Sequence, residues 1–200
     1  MNELRARQSS DALVETRAFE VDSEQTKVFK ARNRGMGREC GNLVVSELTA
    51  ADGAATTLTS AGAPPLLKTE LSARLGALRV AVAGRKPTQA GQEAIAAARV
   101  AFDFRLRYRP PAEIDRVRFD LWLAQLILDT ASGTAGDVRG DTATLELMWD
   151  RIAHTFDAGA TADLRSRLAE LRSAANASDL TRAGAAAKGL RERFAAFGWR

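Results

Sequence analysis

From Pro64 onward the chain alternates apolar and polar positions with a helical period. Leu67, Leu71, Leu75, Leu78 and Val82 recur at steps of three and four, which predicts an amphipathic helix that ends near Gly84 and Pro87. A second helix is expected over about 88–106, with Ala90, Ala94, Ala98, Ala101 and Phe104 on its close-packing face. Pro110-Pro111 stops it and starts a third, over about 111–130. The third is apolar nearly all round in its second half (Leu121, Trp122, Leu123, Leu126, Ile127, Leu128), the pattern of a centrally placed helix. Residues 132–140 hold three glycines and read as a loop. A fourth helix then runs over about 141–156, capped by Asp141 or Thr142, with Leu145, Met148, Ile152 and Phe156 inward. Leu164, Leu168 and Leu171 mark a fifth, over about 161–175. Ser178 or Asp179 caps a sixth, with Leu180, Ala183, Ala187, Leu190, Phe194 and Phe197 on its stripe.

Residues 1–64 lack such a period. Their last part, through Thr56, Thr57, Ser60 and Gly62 to Pro64-Pro65, has linker composition. The expected organisation is an extended, partly disordered arm and linker over 1–64 and a helical bundle domain over 65–200. The fold class is all-α, a bundle of five to six helices.

The chain also matches itself without gaps at an offset of 93 residues. Residues 71–104 align with 164–197, and 11 of 34 positions are identical, among them Leu71/Leu164, Leu75/Leu168, Leu78/Leu171, Gly91/Gly184 and Phe104/Phe197. With 39 alanines in the chain some identity is compositional, but the paired Leu, Gly and Phe are not. The match predicts two similar αα-hairpins, one at each end of the folded part. It also makes Leu78–Gly84 helical rather than a strand entering a nucleotide loop. The loop at Gly133, Gly136 and Gly140 lacks the Lys-Ser/Thr of a phosphate loop, so nucleotide binding is not expected.

Charge adds a possible docking element. The net charge is +4, and arginines outnumber lysines 24 to 5. The main basic run is Lys27, Lys30, Arg32, Arg34 and Arg38, which suits docking or contact with phosphates or a membrane surface and otherwise reads as a solvated, flexible arm. Arg105, Arg107 and Arg109 alternate with Leu106 and Tyr108, and their placement at a helix C-terminus gives them a structural use. The single cysteine, Cys40, excludes an intrachain disulfide. Cys40-Gly41-Asn42 looks like the start of a mature lipoprotein, but Arg32, Arg34, Arg38 and Glu39 precede it where a signal peptide needs an apolar core. No run of eighteen apolar residues and no signal peptide is read. The compartment therefore stays open, and an extracytoplasmic or organellar location requires a removed targeting segment.

Candidate chemistry is sparse. His154 is the only histidine. Glu146, Asp150 and His154 stand at i, i+4 and i+8, which places all three on one face of an unbroken helix, with Asp157 extending the set. Such a face ligates a metal only when a second helix adds groups, and Asp115, Asp120 and Asp129 on the third helix are the candidates. No nucleophile-elbow sequence and no nucleophile–base pair can be assembled, so no enzyme activity and no cofactor is expected. The helix–turn–helix of 164–197 resembles hairpins of extracytoplasmic helical bundles. Among these are the imelysin-like iron-uptake lipoproteins, whose His-x-x-Glu motif is His-x-x-Asp at His154–Asp157 here, and the Q-type extrinsic subunit of photosystem II, which also joins a long arm to a bundle. The likeness is one of fold and transfers no functional residue. The expected function is a non-catalytic accessory or structural subunit that docks on other protein subunits through its arm and bundle surface; nucleic acid is not the expected partner. The alternative is an extracytoplasmic bundle that binds a metal or small ligand through Glu146, Asp150 and His154.

Overall fold

The computed structural model describes residues 64–106, 109–132 and 134–197. The described residues are all-α: helices α1 (Pro65–Ala83), α2 (Pro87–Arg105), α3 (Pro111–Ser132), α4 (Ala135–Ile152), a 3-10 turn (Ala153–Thr155), α5 (Ala158–Asn176) and α6 (Leu180–Ala196), with no strand among them. Three helices begin on proline, where the missing N–H costs nothing and the fixed φ suits the first turn. The arm, including Lys27, Lys30, Arg32, Arg34, Arg38 and Cys40, lies outside the described residues.

The chain divides into two compact units, one ending at Phe104 and the other starting at Arg105. In the first, α1 and α2 form a hairpin. Leu71 and Leu75 of α1 bury against Ala97, Val100 and Phe104 of α2, with Leu67 and Leu78 packed at the margin.

In the second unit, each of α3 to α6 packs on its neighbours in sequence, and α6 returns to α3. Short connections make consecutive helices antiparallel, so the four close into an up-and-down ring. Its core is Phe119, Leu123 and Leu126 from α3, Val138, Leu145, Trp149 and Ile152 from α4, Leu164, Leu168 and Leu171 from α5, and Ala183, Ala187, Leu190 and Phe194 from α6. Each fully buried leucine here contributes about 1.5–3 kcal/mol relative to exposure. Tilted aromatic contacts join Phe119 to Trp149 and Phe194, with centroids 6.1 and 4.9 Å apart, and Phe156 to Trp149 and Phe194 at 5.6 and 5.7 Å.

Two expectations about the fourth helix are corrected. It begins at Ala135, not at Asp141, so Gly136 and Gly140 are helical. The stripe Val138, Asp141, Thr142, Leu145, Trp149 and Ile152 is buried in one continuous helical register, and Val138 at its N-terminal end is fully enclosed. That packing outweighs the roughly 1 kcal/mol that each helical glycine costs relative to alanine. Asp141 and Thr142 are consequently buried helix residues rather than caps; Thr142 Oγ1 donates back to Val138 O at 2.7 Å. At the other end α4 stops at Ile152. The chain tightens into the 3-10 turn, and Thr155 Oγ1 donates to Ile152 O at 2.7 Å. Phe156 still packs on the core, but from extended backbone beyond that turn.

Both hairpins turn in the same way. In the first, Gly84 N donates to Val80 O (2.9 Å), Arg85 N to Val82 O (3.0 Å) and Lys86 N to Ala81 O (2.9 Å). Ninety-three residues on, Ala177 N donates to Ser173 O (3.1 Å), Ser178 N to Ala175 O (3.0 Å) and Asp179 N to Ala174 O (3.1 Å). Each is a Schellman ending with a left-handed residue after the cap, Arg85 at φ 53° and Ser178 at φ 56°. Asp179 then caps α6, its Oδ1 accepting from Arg182 N at 3.0 Å.

Candidate functional site

The residues singled out from the sequence sit on α4 and just after it. Glu146 and Asp150 are on α4, whereas His154 lies in the 3-10 turn and leaves the register of the other two. Glu146 Oε1 accepts from Arg172 Nε of α5 at 2.8 Å, which spends the carboxylate on joining two helices. Asp150 and His154 are exposed. Asp157 caps α5, its Oδ1 accepting from Ala160 N at 2.8 Å, and thereby satisfies one of the unpaired donors of the first turn.

The carboxylates of α3 are likewise occupied. Asp115, almost wholly buried, accepts from Arg151 Nη2 of α4 at 2.6 Å and faces Arg118 at 3.5 Å. Asp120 takes a two-pronged pair from Arg191 of α6, Nε to Oδ1 and Nη2 to Oδ2, both at 2.7 Å. Asp129 accepts from Gln125 Nε2 at 2.9 Å, one turn back on the same helix. On α5, Asp163 is bound by Arg193 of α6 and by its own neighbour Arg167 at 3.1 Å. The Arg193 hydrogen bond, aided by Arg167 and opposed by partial desolvation, holds the Asp163 carboxyl below the usual carboxylate range.

Arginines also lie on the aromatic cluster. The Arg116 guanidinium stands 4.4 Å from the centroid of Phe156, and that of Arg193 4.5 Å from the centroid of Phe197. Burial draws Arg116 below the usual arginine range, with Glu113 pulling the other way. Arg109, from the basic-aromatic patch, faces Glu113 at 3.6 Å near the start of α3.

Among the described residues, carboxylates thus meet arginines of different helices. Among the described residues, no group of three or more His, Cys, Asp or Glu side chains is placed to hold a metal ion. Sequence reasoning missed the arginine partners Arg151, Arg172 and Arg191. The one available signal was Asp115 itself, a charged residue beside Ile114 and Val117 at buried positions, which needs a cation. No helix among the described residues is long and apolar enough to cross a membrane.

No protein family, curated protein or solved structure matches the chain. The resemblance to extracytoplasmic bundles therefore rests on the hairpin pattern alone.

Proposed function

We propose that the chain is a non-catalytic accessory or structural subunit that docks on another protein of a larger assembly. The observation that supports this most is the commitment of its acidic side chains. Glu146, Asp115, Asp120 and Asp163 each engage an arginine of a neighbouring helix, the arrangement of a framework rather than of a reaction centre. The docking element in this reading is the arm of residues 1–64, with Lys27, Lys30, Arg32, Arg34 and Arg38 facing an acidic surface of the partner. A contact of this kind, made by opposite charges at a surface, is sensitive to salt.

The hairpins 71–104 and 164–197 are, in the same reading, two copies of one unit. Supporting this are the gap-free match and the turns that coincide bond for bond at the same offset. The framework is then built from a repeated hairpin plus the pair α3–α4.

The test is isolation of the full chain from its native source at low salt, beside a variant with those five basic residues changed to glutamate. A stoichiometric complex for the first and free protein with an unchanged melting profile for the second is the expected result. A complex that survives the charge reversal removes the arm's basic run as the docking element.

A further inference from the structure

We draw no further inference here: the strongest candidate, the half-buried small-residue face of α2 at Ala90, Gly91 and Ala94, which corresponds to the α6 face of Ala183, Gly184 and Ala187, carries nothing because nothing in the structure shows what covers it.

Discussion

Gly184 on α6 meets Thr130 on α3 so closely that a Cβ built on the glycine would lie 2.9 Å from Thr130 Oγ1. That hydroxyl is not free to swing away without loss, because it donates to Ile127 O at 2.8 Å. The contact sets how near the two helices approach. In an open helical position, glycine to alanine gains about 1 kcal/mol. Here overpacking of about 1–3 kcal/mol opposes that gain. Gly184→Ala is therefore expected to lose up to about 2 kcal/mol net. In a Thr130→Ala background the same change should become neutral or stabilising. Urea unfolding followed by tryptophan fluorescence is suited to this, since Trp122 and Trp149 lie in the second unit. A simple additive pair of effects would show that the close approach has no energetic consequence.

Gly136 and Gly140 pose the opposite case. Both are in α4, and a Cβ on either meets nothing within 4 Å. Gly136→Ala and Gly140→Ala should each stabilise by about 0.5–1 kcal/mol through reduced unfolded-state entropy. The midpoint of urea unfolding should rise with its slope unchanged. No gain at either position would mean that α4 starts later than Ala135.

The turns of the two hairpins share a strained residue. Arg85 and Ser178 both hold positive φ, where a Cβ crowds the following carbonyl. Arg85→Gly and Ser178→Gly should each raise stability by about 0.5–1 kcal/mol. The gain at Ser178 is the smaller, because its Oγ accepts from Arg139 Nη1 at 3.0 Å and that bond is lost. Thermal melts read by circular dichroism measure both. Destabilisation at Arg85 would contradict the left-handed conformation assigned there.

Arg191 and Asp120 join α6 to α3 across 71 residues of sequence, with both side chains partly buried. A double-mutant cycle with Arg191→Ala and Asp120→Ala should give a coupling of about 1.5–3 kcal/mol, the range for hydrogen bonds to charged groups. Arg191→Lys should recover only part of it, since an ammonium cannot reproduce the two-pronged geometry. Full rescue by lysine would reduce the pair to a simple charge contact.

Much of the helical pattern was legible because packing and period agree. Leu71 and Leu75, and at the 93-residue offset Leu164 and Leu168, are buried at the spacing that marks a helix face. The cap of α6 is legible in sequence only as Ser178 or Asp179; Asp179 takes it through the reach of a short carboxylate to the amide three residues on. The start of α4 was not. Gly136 and Gly140 signal a loop locally, and only the enclosure of Val138 by the other helices overrides that signal. His154 leaves the expected face for a related reason, since the helix that carries that face ends at Ile152. The fate of Glu146 was illegible because its partner, Arg172, is on another helix and many arginines compete for the role. A carboxylate on a helix face reads the same in sequence whether it awaits a metal or an arginine.

The proposed role is that of a subunit held to a partner through its basic arm. It is tested most directly by isolating the full chain from its native source at low salt and measuring the mass and composition of what comes with it. A complex of fixed stoichiometry, dispersed by salt and lost when Lys27, Lys30, Arg32, Arg34 and Arg38 are changed to glutamate, is the predicted result. Recovery of the full chain as a free monomer at low salt would contradict it.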